Sequence, residues 1–326
     1  MSALIKTLIP AVRADFLESV LIGLSNQSLK DFDILIADDS PNKIITQMFL
    51  DGPLAIYKKT LKIEVCKGAG SELGNHNLLF NLWGGSTEYA HIHHDDDIVF
   101  PDFYRQHVTA HENMKVLMTV SSRWLTKRDG IPHYFSGLPG QLEQSNDHYV
   151  ILTPGFVAGS TLSSCRNWLG EFTNVVMSKK LLTVVSQLKD YGDGPYGGIL
   201  DMNLYLRVAA AGCDIGYIRD HLGAYRLPPP EAHYRSPQTK GGQIHRAWWL
   251  ASAVEAWQGA LITDAVLNKA VNVFVDRYLT EQPDNPIYIR LSKMVRSENV
   301  DLHEVAKIIK EAYGEMLKSQ KSGVLI

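Results

Sequence analysis

The chain has 326 residues, 45% of them hydrophobic, with a net charge of −3, enough for one large domain or one domain plus an appendage. The mixed, slightly acidic charge excludes the basic footprint of a nucleic-acid-binding protein. The three cysteines, Cys66, Cys165 and Cys213, are too few and too scattered for a disulfide framework or a cysteine zinc site, and no apolar run reaches the roughly 18 residues of a membrane helix. Met1 to Pro10 reads as a short apolar strand, not a signal peptide. A soluble cytoplasmic protein is therefore expected, with peripheral docking at the inner face of the membrane left open.

Ile5 to Pro10 predicts a buried strand. Phe16, Val20, Leu21 and Leu24 recur at helical spacing within Ala14 to Asn26. Asp33 to Ala37 is a second strand, ending in Asp38-Asp39-Ser40-Pro41-Asn42. A helix follows, then a third strand at Lys62 to Cys66. Ser71 to Trp83 is helical by period, Tyr89 to His94 is a fourth strand, Pro101 to Asn113 a helix and Val116 to Ser122 a fifth strand. This alternation predicts an α/β fold with a mostly parallel sheet, in which ligands sit beyond the carboxyl ends of the strands.

Past Asp129 the pattern weakens, which suggests an insertion or an acceptor region. Thr153 to Leu162 is expected to return to the sheet. Val176 to Leu188 and Ile199 to Ala211 are expected as helices, with Asp214 to Ile218 and His221 to Leu227 extended. Leu227 to Gly242, with three prolines, a Gly-Gly pair and several cations, predicts a mobile loop over 228–242. It acts as a linker or a lid. Gln243 to Gly259, Asp264 to Leu279, Pro286 to Ser297 and Asp301 to Ser319 then form a helical appendage of about 80 residues. The expected division is 1–227, 228–242 and 243–326. The last region packs on the α/β part, mediates homo-oligomers or presents an interface.

Two acidic groups fall at expected strand ends, Asp38-Asp39 and Asp95-Asp96-Asp97. Adjacent carboxylates repel, and a hard divalent cation such as Mg2+ or Mn2+ removes the repulsion. The bland alternative is a solvated acidic turn with Asp97 or Asp102 capping the next helix. Gly68 to Gly74 is glycine-rich but lacks the Lys-Ser/Thr ending of a P-loop, so it reads as a plain loop.

Taken together, these blocks resemble the GT-A-fold family 2 glycosyltransferases, over about residues 4 to 227. The resemblance is carried by Leu8-Ile9-Pro10, by Phe32 to Ser40, by Gly74-Asn75-His76-Asn77 and by His91 to Asp97 followed by Pro101. It continues in Leu200 to Arg207, Gly212, Tyr217-Ile218 and Tyr225-Arg226. It implies a GT-A domain, Rossmann-like with a mostly parallel central sheet, and transfer of a sugar with inversion. The sugar would pass from a nucleoside diphosphate sugar to a hydroxyl of a glycan or lipid-linked acceptor, in bacterial polysaccharide, lipopolysaccharide or other glycan synthesis. Pro10, Ala11, Val12, Arg13 and Asp39 would hold the base, with His76 beside them in the donor site. Asp95 would contact the ribose, Asp96 would bind an Mn2+ or Mg2+ ion with support from Asp97, and Asp201 would be the general base. Three positions depart from the family pattern. His94 stands where the first Asp of Asp-x-Asp is frequent, His76 replaces a frequent arginine, and Leu200 replaces a frequent Glu.

The chemistry asks for these groups independently. A diphosphate leaving group needs charge neutralisation, and the attacking hydroxyl needs a base on the opposite face of the sugar. Arg226, Arg235 and Lys240 are further candidates to screen the diphosphate. The enzyme rival is a metallohydrolase using His91, His93 and Asp95, since His91-x-His93-x-Asp95-Asp96 is one residue from the metallo-β-lactamase cluster. The non-enzyme rival is a nucleotide-sugar-binding protein without catalysis.

Overall fold

The computed structural model describes residues 3–135, 137–188, 199–228 and 239–321. β1 (Ile5–Ala11), α1 (Leu17–Ser25), β2 (Phe32–Asp38), α2 (Ile44–Leu50), β3 (Ile63–Lys67), α3 (Glu72–Trp83) and β4 (Tyr89–Ile92) alternate as expected. They are followed by β5 (Ile98–Val99), α4 (Phe103–Met114), β6 (Met118–Thr126), β7 (Pro132–Phe135), α5 (Gly140–Glu143) and β8 (Tyr149–Leu152). Then come α6 (Pro154–Leu162), β9 (Val175–Ser178), α7 (Leu200–Ala210) and β10 (Ile215–Arg226). Four helices follow among the described residues: α8 (Lys240–Gln258), α9 (Asp264–Tyr278), α10 (Pro286–Val295) and α11 (Leu302–Lys321).

The described strands form one sheet in the order β3-β2-β1-β4-β9-β6-β10-β5, with β7 on β6 and β8 on β10. β3, β2, β1, β4, β6 and β10 run one way, and the others oppose them. β2 is buried at every position, and its Ile34-Leu35-Ile36-Ala37 run suits a strand covered on both faces. Ile5, Ile9, Leu21, Ile36, Phe49 and Phe103 anchor the core between this sheet and its helices. The chain moves outward from β1 through β2 to β3, then returns to place β4 on the other side of β1. That reversal opens a crevice at the carboxyl ends of β1 and β4.

By packing, the chain divides into two compact units. The first takes Met1–Leu152, Trp168–Leu188 and Cys213–Pro229; the second takes Thr153–Asn167, Lys189–Gly212 and Pro230–Ile326. All ten described strands belong to the first. The second is helical, with α6, α7 and α8 to α11 around Leu204, Trp248, Phe274, Leu291 and Ile309. Two segments expected on the sheet side of residue 227 thus pack with the C-terminal helices.

Three expectations are corrected. Of the segment 153–162, Pro154–Leu162 is helix α6, not a strand: Pro154 occupies the first helical turn, where a missing N–H costs nothing, and Val157, Ala158, Thr161 and Leu162 face inward. Residues 175–178 are strand β9, inserted antiparallel between β4 and β6, and a 3-10 turn over Lys179–Thr183 follows in place of the expected helix. Burial of Val175, Val176 and Met177 in the middle of the sheet outweighs the helical spacing of Leu181, Val185 and Leu188. The two extended pieces near 214–227 are one strand, β10, with register shifts around His221. Of the expected loop, residues 229–238 lie outside the described residues, and α8 begins at Lys240.

Candidate active site

The first acidic pair separates into two roles. Asp38 ends β2 fully buried, and its carboxylate accepts from the backbone and hydroxyl of both Ser40 and Thr46 at 2.5–2.9 Å. Burial works to raise its pKa, but these four donors hold it below the ordinary carboxylate value. Asp38 is therefore a turn-building residue. Asp39 faces the strand-end crevice. Its Oδ2 accepts from Gly70 N at 2.8 Å and Asn75 Nδ2 at 2.6 Å, and Lys43 Nζ lies 3.9 Å from its Oδ1. Gly68 is required here, since a Cβ would stand 2.4 Å from Asp39 Oδ1. The glycine-rich stretch read as a plain loop is thus the wall that positions Asp39.

After β4 the chain turns sharply, and each of the three carboxylates goes a different way. Asp95 reaches across the crevice to β1, where Oδ2 accepts from both Val12 N and Arg13 N at 2.8 Å. Asp96 is partly exposed, at 18% of its side chain, and accepts from Arg13 Nη2 at 2.5 Å. Asp97 is fully buried, taking Thr173 Oγ1 at 2.6 Å and the backbone N–H of Arg226 at 2.9 Å. Burial, with the charges of Asp97 and Asp95 outweighing Arg13 and His94, raises the Asp96 carboxyl to about 6. His94 Nδ1 lies 3.6 Å from Asp97 Oδ2. Burial opposes a charge on His94, but Asp97, Asp96 and Glu72 outweigh it and raise the ring to about 9. An imidazolium thus stands where the family pattern often has a carboxylate.

His91, His93 and His76 are buried, and burial lowers the pKa of each. His91 donates from Nε2 to the Thr173 carbonyl at 2.9 Å and accepts at Nδ1 from the Tyr104 hydroxyl at 3.1 Å. His93 Nδ1 donates to His94 O at 2.6 Å, and burial lowers its pKa to about 4. His76 is 1% exposed, donates from Nδ1 to Glu72 O at 2.7 Å, and packs against Phe172. Burial and the neighbouring His94 lower it to about 3. With both nitrogens of His91 in use and Asp95 turned toward β1, the His91/His93/Asp95 metal cluster of the hydrolase reading does not form. Arg226 is also structural: it is buried, lies 4.4 Å over the Phe16 ring and donates to Arg128 O at 2.7 Å. Arg235 and the Lys240 side chain are outside the described residues.

Among the described residues no three His, Cys, Asp or Glu side chains converge as a ready metal cage. Asp96 alone of the triad combines a hard carboxylate with exposure to the crevice. That donor set fits a divalent ion arriving with diphosphate oxygens and waters, because Mg2+-like ions are held by one or two carboxylates plus substrate phosphate.

In the second unit Asp201 lies in the first turn of α7. Its Oδ2 accepts from Asn167 Nδ2 at 2.8 Å and its Oδ1 from Met202 N at 2.8 Å.

Sequence reasoning missed the contributions of Asn75, Gly68, Gly70 and Thr173. Asn75 stands inside a quoted motif, and its side chain type is the signal. Thr173 sits 76 residues from Asp97, with no local pattern.

No protein-family model and no curated protein matches the sequence. Solved structures do match. Residues 1–349 of S. aureus TarS with UDP-GlcNAc align with a TM-score of 0.59 at 12% identity, over 98% of this chain and 92% of that one. Mannosyltransferase PcManGT from Pyrobaculum calidifontis, with GDP-Man and Mn2+, aligns at 0.53 and 12% identity over 97% and 88%. GalNAc-T7 with UDP, GalNAc and Mn2+ aligns at 0.52 and 9% identity over 96% and 54%. The chain is a GT-A-fold protein, with a mostly parallel sheet followed by C-terminal helices.

Proposed function

We propose that the protein is a glycosyltransferase that moves a sugar from a nucleoside diphosphate sugar to an acceptor hydroxyl. One observation carries this reading: Asp39, Val12-Arg13 and Asp95-Asp96 converge at the carboxyl ends of β2, β1 and β4 on a GT-A fold. UDP and GDP sugars with Mn2+, as found in the structural neighbours, are the first donors to try.

In this reading Pro10 to Arg13 and Asp39 hold the base, His76 backs the pocket wall, and Asp95 meets the ribose. Asp95 also fixes the β1 turn through two N–H bonds. Asp96 holds Mn2+ or Mg2+, which when bound offsets the charge building on the departing diphosphate. Asp97 takes a supporting part, fixing the turn that aims Asp96. Asp201 accepts the proton of the acceptor hydroxyl. The hydroxyl oxygen bonds to the anomeric carbon as the carbon–phosphate-oxygen bond breaks, and the diphosphate leaves with the electron pair. A single displacement of this kind inverts the anomeric carbon. A glycan or lipid-linked acceptor in polysaccharide synthesis, at the cytoplasmic face of a membrane, suits the reading. No helix among the described residues is long and apolar enough to cross a membrane. Homo-oligomers through the C-terminal helices belong to the same proposal.

The test is release of UDP or GDP from a panel of nucleotide sugars with Mn2+ or Mg2+. Metal-dependent release from one nucleotide class supports the reading. Binding of a donor with no turnover, with or without added acceptors, would favour a non-catalytic binder.

A further inference from the structure

Arg13 stands in a position that the proposed metal must also approach. Its Nη2 is 2.5 Å from Asp96 Oδ2 and 3.4 Å from Asp95 Oδ1. The two ends of this residue are held unequally. The backbone is pinned, because Arg13 N donates to Asp95 at 2.8 Å, whereas the side chain is 53% exposed. The guanidinium can therefore leave Asp96 by side-chain rotation alone, without moving β1.

Three physical points give this arrangement a consequence. Arginine stays charged at any working pH, so the pairing cannot be relieved by deprotonation. A guanidinium and a divalent ion on one carboxylate repel at contact range. Asp97 offers no second seat, since Thr173 and the Arg226 N–H take its oxygens. A diphosphate, in contrast, supplies several oxygens that match the guanidinium fork.

We infer that Arg13 is the resident cation of Asp96 in the nucleotide-free protein, and that it moves onto the donor diphosphate as the divalent ion takes its place on Asp96. The Arg13 side chain is then a diphosphate ligand while its backbone stays in the proposed base-binding turn, and it makes metal and nucleotide binding mutually dependent. The inference rests on the nucleotide-sugar reading above.

The experiment measures Mn2+ affinity by electron paramagnetic resonance, alone and with UDP or GDP, for the wild type, Arg13→Gln and Arg13→Lys. Wild type should hold Mn2+ weakly alone and firmly with nucleotide. Arg13→Gln should bind Mn2+ alone on the order of tenfold tighter, while its affinity for the Mn2+-nucleotide falls. Arg13→Lys keeps the charge but not the fork, so its nucleotide-free affinity should stay near wild type while the Mn2+-nucleotide affinity falls. It also serves if the Gln variant fails to fold: Mn2+-nucleotide affinity unchanged in Arg13→Lys overturns the assignment to the diphosphate. Unchanged nucleotide-free Mn2+ affinity in Arg13→Gln overturns the resident-cation assignment while the functional reading survives. A wild type that binds Mn2+ no better with UDP or GDP removes both.

Discussion

Asp95 and Asp96 are sequence neighbours with separable tasks. Asp95 accepts two backbone N–H groups, so Asp95→Ala leaves both unpaired in a half-buried crevice. We expect a loss of about 2–3 kcal/mol in urea unfolding; a loss below about 0.5 kcal/mol would mean water replaces the carboxylate freely. Asp201 carries the chemical part. Asp201→Asn keeps the shape and an acceptor for Met202 N but cannot take the acceptor's proton. Turnover should fall by roughly 10²–10⁴ with donor affinity unchanged. Near-normal turnover would place the base elsewhere, and loss of donor binding would make Asp201 a structural or donor contact. At this scale the sequence was most readable where charge is locally anomalous, as in Asp95-Asp96-Asp97. It was least readable where partners are remote: Arg13 meets Asp96 across 83 residues. Asp38 and Asp39 look equivalent in sequence, and only the Ser40 and Thr46 donors separate them.

The elements of the first 120 residues were legible because strand burial and helix period both speak clearly there. Two later elements were not. β9 is only Val175–Ser178, and its conformation is set by β4 and β6 on either side, which no local pattern reports. α6 opens with Pro154 and carries Gly155, Gly159 and Ser160, a composition closer to a turn than to a helix. Just before β9, Gly170 adopts φ +107°, and a Cβ there would stand 2.5 Å from both Arg123 Cζ and Asn174 Oδ1. Arg123 is 6% exposed and pairs with Glu171, so it has little room to give. Gly170→Ala should destabilise the protein by about 2 kcal/mol or more. A chemical denaturation midpoint equal to wild type would show that this turn relaxes without cost.

Across the whole molecule, buried neutral histidines set the acid limit. Burial lowers His76 to about 3 and His93 to about 4, pushes His91 and His107 well below the ordinary value, and lowers His111 as well. Each folded-state pKa lies below the unfolded value of about 6.5, so the unfolded chain binds the extra protons as pH falls. Their stabilising contribution is complete above about 6.5 and is lost toward the folded pKa values. At pH 5, His76 and His93 each withdraw up to about 2 kcal/mol. Asp96, raised to about 6, opposes the trend as a single group, and His94, raised to about 9, contributes stability that is lost instead as pH rises through 9. The melting temperature should therefore fall steeply between pH 6.5 and 5; a flat profile would mean these rings ionise in place. The strand-end site itself is probed by calorimetric titration of UDP and GDP, with and without Mn2+, into wild type and Asp96→Ala. Wild type should bind one nucleotide tightly only with Mn2+, and an Asp96→Ala protein that still melts cooperatively should lose that metal dependence. Unchanged metal-dependent binding in the variant would contradict a metal-binding role for Asp96.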